Sequence, residues 1–305
     1  MAFASPSLPV TSVVKDMKSR YLIDRSSKAV VLVCATACFV ILLAIVVFTL
    51  REALPAFRQV GLLDFLFGKE WSPGNKEFGI LPIIVGSVVV TAGALIIAVP
   101  LGIACAILLA EVAPSRVRQF LRPTVELLVG IPSVVYGLVG MVLIVPLIRQ
   151  IGGSGYSVAA GVIVLTGMVL PTIISISEDS IRAMPKSYKE GALALGATQW
   201  QTIWRVLLPA ARSGIMASII LAMGRAIGEA MALIMVLGNA AVIPTSLLGP
   251  ARTLAGSIAV EVNYASGVHQ SALFATAVVL FLMVIIVNSM ALVVLRRGGR
   301  VQNVG

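Results

Sequence analysis

Charge is what this sequence has least of: only 12% of its 305 residues are Asp, Glu, Lys or Arg, about half the share found in a soluble domain. So few charges cannot cover a folded globule of this length with polar surface, which excludes a soluble enzyme and a disordered chain. There is one histidine, and the three cysteines, Cys34, Cys38 and Cys105, all sit in apolar runs. They read as small hydrophobes, so a disulfide scaffold is excluded. The chain has no internal repeat, no low-complexity tract and no G-x-x-x-x-G-K-[ST] loop to hold nucleotide phosphates. A net charge of +10 is present, but without the clustered basic face or motif that nucleic-acid binding needs.

What is present is apolar length: 59% of residues are hydrophobic. A helix needs about 20 apolar residues to cross a bilayer, and six runs qualify, near residues 29–50, 80–110, 123–148, 156–177, 214–237 and 272–295. The fold class is therefore all-α integral membrane, with six transmembrane helices. The first run reaches about 33 Å at 1.5 Å per residue and reads as a retained anchor rather than a signal peptide. Pro82 and Pro100 in the second run, Pro132 and Pro146 in the third and Pro171 in the fourth predict kinks or irregular backbone, which must be covered by neighbours or line a cavity.

Lys and Arg set the orientation, because basic loops stay cytoplasmic. Sixteen fall in the tail, the second and fourth connections and the C-terminus, against six on the opposite side. Both termini are thus expected in the cytoplasm, with anionic lipid headgroups as the counter-surface of the positive charge. Residues 1–28 read as a mobile basic cytoplasmic tail, 29–295 as the membrane domain and 296–305 as a basic C-terminus. The first outer connection carries Phe57, Phe65, Phe67 and Trp71, either an interfacial aromatic belt or a contact for an external partner. His269 reads as a solvated residue of an outer connection, and Met231 and Met235 as packing.

The connection 178–212 has the composition of a helix rather than of a solvated loop. Trp200, Ile203, Trp204, Leu207 and Leu208 recur at helical spacing, and Gly196 divides two short helices. Its motif is Glu190-Gly191-Ala192, three residues, Gly196, nine residues, then Val206-Leu207-Leu208-Pro209. This resembles the E-A-A loop of integral-membrane ABC importer permeases, departing from it at Gly191 and Val206. The resemblance implies a coupling element, with Glu190, Gly191, Ala192, Gly196 and Pro209 at the key positions, seated in a groove of a separate ATPase subunit. ATP and Mg would then be held by that subunit, and no cofactor or metal by this chain.

Arg225 and Glu229 fall inside the fifth run, four residues apart and so on one face if the helix is continuous. A charge at mid-bilayer costs about 2.5–3.5 kcal/mol even on the lenient insertion scale. Two readings stand. The pair neutralises itself and pins packing, with Gly224 and Gly228 at the spacing that lets helices approach; or Arg225 faces a water-filled path, offers its donor fork to an anion, and is held by Glu229.

Three further stretches carry a narrower resemblance: 78–87 (FGILPIIVGS), 130–137 (GIPSVVYG) and 224–232 (GRAIGEAMA). Together with Trp71-Ser72-Pro73 they resemble the permeases of ATP-driven phosphate importers, PstC type, a family with the type I ABC importer permease (MetI-like) fold. What the resemblance implies is a multi-pass subunit of the bacterial inner membrane that is not itself an enzyme and works by alternating access, with Arg225 and Glu229 in the translocation path. It also implies a PstA-type second permease, two PstB-type ATP-binding subunits and a PstS-type extracytoplasmic phosphate-binding protein as partners, and no nucleic acid. Other readings stay open: the PstA-type permease itself, a permease for sulfate or molybdate, a membrane enzyme built on Ser133, Glu178, Asp179 and Glu229, or a non-conducting regulatory subunit.

Overall fold

The computed structural model describes the backbone of residues 10–299 and the side chains of residues 24–293. The expectations for Lys15, Lys18 and Arg20 in the tail and for Arg296, Arg297 and Arg300 at the other end concern side chains outside that range. Among the described residues six helices are long and apolar enough to cross a membrane: Asp24–Val60, Leu81–Val112, Ser133–Ile151, Val158–Arg182, Gln199–Ile227 and Val268–Val293. Count and order agree with the six apolar runs; several boundaries do not, and the reasons are local.

Helix α1 (Val10–Val60) is already regular within the segment read as a mobile tail. Residues up to Arg51 form one compact unit and Glu52–Gly305 the other. In the first unit the apolar side chains of residues 30–43 are exposed, and Thr36 and Thr49 return their hydroxyls to the carbonyls of Leu32 and Ile45 one turn back. Asp24 and Lys28 pair along the helix at 2.6 Å.

In the second unit, α2 (Leu62–Phe67) and a hairpin of β1 (Trp71–Ser72) and β2 (Glu77–Phe78) lead into α3 (Leu81–Ile107). The long span expected over 123–148 is instead two pieces. Helix α4 (Ser115–Gly130) is amphipathic and buries none of its residues, while the crossing element begins with α5 (Ser133–Val139) and ends with α6 (Val145–Ile151). Pro132 separates them, since a proline disfavours helical backbone in the residue before it, and Ile131 is extended at φ −68°, ψ 128°. Pro171 causes no such break, and α7 (Val158–Arg182) runs through it.

Three π-helical turns, Leu108–Val112, Gly140–Ile144 and Ile203–Leu207, each end two residues before a proline, namely Pro114, Pro146 and Pro209. A proline lacks the N–H that the carbonyl four residues back would receive and crowds that carbonyl. Widening the preceding turn relieves both problems.

The central core joins α3, α7 and α10 (Leu208–Ile227), through Val90, Ala94, Leu165, Met168, Ile173, Ala222 and others. The approach is close: a Cβ on Gly102 of α3 would stand 2.6 Å from Ile173 Cγ2 of α7. After α10 come the short α11 (Met231–Ile234), an irregular stretch, α12 (Leu254–Glu261) and α13 (Val268–Gly299). A second cluster packs Phe65, Phe78, Ile80, Leu254 and Ala272 at the end of the unit that holds the hairpin.

Candidate functional site

The site expected around Arg225 lies where α10 stops. The fifth span does not continue to residue 237; it ends at Ile227, and Gly228 caps it. Arg225 and Glu229 therefore do not share a helix face, and among the described residues no ion pair joins them. Glu229 turns forward instead: its carboxylate, 9% exposed, accepts the backbone N–H of Ala232 at 2.9 Å and so satisfies a free donor at the start of α11. Arg225, half-buried in the last turn of α10, donates to the Thr172 hydroxyl of α7 at 3.4 Å. Tyr136 on α5 donates its hydroxyl to the Leu128 carbonyl at 2.9 Å. Arginine thus meets a hydroxyl from another span, and among the described residues no carboxylate pairs with it. A Cβ on Gly224 would stand 3.8 Å from the Asn288 side chain of α13, an ordinary contact, and one on Gly228 would meet only the Gly224 and Arg225 carbonyls, so neither glycine marks a close helix approach.

The predicted coupling segment forms an elbow. Helix α8 (Lys186–Ala194) ends at Leu195, and Gly196 takes φ +85°, where a side chain would be strained. Then α9 (Gln199–Thr202) starts with a capping box: the Thr198 side chain accepts the Gln201 N–H, and the Gln201 side chain accepts the Thr198 N–H. Glu190 and Gly191 are exposed, and a Cβ on Gly191 would touch nothing. Apolar side chains also face outward: Leu195 is 91% exposed, Tyr188 49% and Trp200 60%. A cleft of about 590 Å³ opens on the elbow, lined by Tyr188, Ala192, Leu195, Ala197, Gln201 and Arg205 among others. Such a patch marks an interaction surface. Through the π turn and Pro209, α9 runs into α10, so one helical element of residues 199–227 joins the elbow to Arg225, about 40 Å apart along the axis at 1.5 Å per residue.

Two of the carboxylates singled out for a membrane enzyme are held in ion pairs. Glu178, 2% exposed, pairs with Arg182 at 3.1 Å and Arg122 at 3.6 Å, and Asp179 pairs with Arg122 at 2.9 Å. Among the described residues no cluster of three His, Cys, Asp or Glu is placed to hold a metal. His269 is not a solvated loop residue. It lies in the first turn of α13, hydrogen-bonds the Glu261 carboxylate through Nε2 at 2.7 Å, the carboxylate accepting, and stacks on Phe78. Glu261, 4% exposed, also receives the Trp71 indole N–H at 3.0 Å and Arg252 at 2.5 Å. Of the expected aromatic belt only Phe67 is openly exposed; Phe65 is fully buried, edge-on to Phe57, and Trp71 is tied to Glu261.

Sequence reasoning missed Thr172, Glu111 and Lys189. Glu111 and Lys189 pair across 78 positions of sequence, and neither periodicity nor spacing signals such a long-range contact.

Among known proteins, residues 98–298 match the family described as "Binding-protein-dependent transport system inner membrane component". The probable ABC transporter permease protein YqgH of Bacillus subtilis strain 168 is 41% identical over 278 residues, covering 88% of this chain and 90% of its own. The phosphate transport system permease proteins PstC of Pasteurella multocida and Mesorhizobium japonicum are 34% and 37% identical, over 85% and 77% of this chain and 87% and 78% of theirs. A chain of a solved bacterial ABC transporter involved in the import of the acidic polysaccharide alginate superposes with a TM-score of 0.66 at 16% identity, over 94% of this chain and 99% of that one. A chain of the MetNI methionine ABC transporter does so at 0.52 and 21%, over 70% and 91%. These two likenesses speak for the fold, which is that of the type I ABC importer permeases. With six membrane-crossing helices and these relatives over most of its length, the chain belongs to the family of binding-protein-dependent transport system inner membrane components, as a permease subunit of an ABC importer.

Proposed function

We propose that this chain forms half of the translocation path of an ATP-driven phosphate importer of PstC type. The observation that carries the reading is Arg225: a guanidinium at a helix end inside the membrane domain, met among the described residues by the Thr172 hydroxyl rather than by a carboxylate. Such a group has donors left for a tetrahedral oxyanion, which a planar fork can grip at two oxygens. Relatives carrying the name of phosphate transport permeases support phosphate as that oxyanion. Glu229 lines the same break in the helix and keeps the empty path close to neutral.

The partners are a PstA-type permease, two PstB-type ATPases that bind ATP and Mg, and a PstS-type phosphate-binding protein outside. Both termini and the elbow face the cytoplasm, in keeping with the distribution of Lys and Arg. ATP binding closes the ATPase pair on Glu190, Gly191, Ala192 and Gly196; the motion passes through Pro209 and α10 to the broken helix, and the path opens outward to receive phosphate from the binding protein. Hydrolysis resets it.

The substrate is tested by uptake of labelled phosphate at low concentration in cells lacking this chain, with and without its restoration, against labelled sulfate. Restoration of phosphate uptake alone is the expected result. Restoration of sulfate uptake alone, or phosphate uptake indifferent to the chain, removes phosphate as the substrate.

A further inference from the structure

The cytoplasmic elbow is held to the membrane domain at a second place, besides the helix it leads into. The second span ends in the π turn Leu108–Val112, and Glu111 in that turn is only 11% exposed. Lys189 of α8 reaches its carboxylate at 2.5 Å, and Gln199 of α9 donates to its backbone carbonyl at 3.2 Å. One residue of the second span thus receives a side chain from each arm of the elbow.

The turn itself is pinned. Pro114 has no N–H to give the Ala110 carbonyl, and Ala113 gives its own to Leu108 rather than Leu109. The two carbonyls left over accept Arg118 of α4, Leu109 at 2.6 Å and Ala110 at 3.0 Å. Beneath the polar contacts Ile107 and Ala110 pack against Ile203 and Leu207 in one apolar cluster. A half-buried charge pair over a packed apolar base resists sliding and rotation together, because both sets of contacts would have to break.

We infer that Glu111 and Lys189 form a strut through which the elbow drives the second span, so that the second and fifth spans move as one body when the ATPases close. The inference rests on the elbow being the ATPase coupling element. Glu111 and Lys189 are positioning residues; neither touches the transported anion.

The assembled importer in proteoliposomes, with phosphate-loaded binding protein, is compared as wild type, Glu111→Gln, Lys189→Met and the exchanged pair Glu111→Lys with Lys189→Glu. The single variants should retain the ATPase subunits and hydrolyse ATP while phosphate moved per ATP falls about threefold or more, and the exchanged pair should recover most of the loss. Single variants with the wild-type ratio, or an exchanged pair no better than either single, overturn the strut. A second measurement is independent of substrate: spin labels at Ser187→Cys and Val112→Cys, with Cys34, Cys38 and Cys105 replaced by serine. Their separation should stay within about 2 Å between nucleotide-free and ATP-trapped complexes and shift or broaden in Glu111→Gln. A separation that changes between the two states without that substitution overturns the strut. Vesicles in which the wild type moves no phosphate overturn the substrate reading alone, because the label distances still decide the strut.

Discussion

Glu229 shows how much a single residue's role depends on where a helix ends. Four positions after Arg225 it would sit over the guanidinium on a continuous helix; with α10 closed at Gly228 it caps α11 through the Ala232 N–H. A capping role needs an acceptor oxygen and no charge. Glu229→Gln should therefore leave the thermal stability of the detergent-solubilised complex near wild type, whereas Glu229→Ala should lose about 1 kcal/mol. Equal losses in both variants would assign the stabilisation to the charge instead. The Arg225 partner, Thr172, was not legible in the sequence because it lies 53 positions away on another span. Nor was the burial of His269, whose partner Glu261 is gathered from the hairpin, an irregular stretch and two helices. Contacts of that kind are products of tertiary packing, which a one-dimensional pattern of residue types does not encode.

Elements were more legible than contacts. The elbow was readable because Gly196 at a positive-φ position and the apolar stripe after it are both local signals. Its start was finer than spacing alone could say, since the Thr198–Gln201 capping box sets where α9 begins. The amphipathic α4 was absorbed into the third apolar run, because Leu127, Leu128 and Val129 continue that run in sequence while Pro132 ends the helix in space. The same distinction shortened the fifth span at its end and lengthened it at its start, where Trp200 and Trp204 belong to the helix that crosses. With Leu195 at 91% exposure, substitution there has no packing to lose. Leu195→Asp should thus leave the chain's membrane level unchanged while the ATPase subunits no longer copurify, measured by affinity isolation of the complex. Full copurification would remove the elbow's outer face from the docking surface.

At the scale of the molecule, six spans and a membrane setting followed from hydropathy and length, which act over 20 residues at a time and tolerate errors at either end. The mechanical layout did not. It depends on one helical element of residues 199–227 carrying the elbow at one end and Arg225 near the other, with the second span tied to the same elbow through Glu111. Under the proposed function the path must bind an anion and release it, which allows only a modest net attraction, and an arginine beside the Thr172 hydroxyl meets that condition better than one locked to a carboxylate.

The most direct test of the account is phosphate uptake into proteoliposomes holding the assembled importer, with Arg225 as wild type, Arg225→Lys and Arg225→Gln, and with bound ATPase subunits quantified in each. The account predicts intact assembly in all three, uptake reduced about tenfold in Arg225→Lys for want of the planar fork, and a larger loss in Arg225→Gln. Uptake at the wild-type rate in Arg225→Gln would contradict it and return Arg225 to a packing role between α10 and α7.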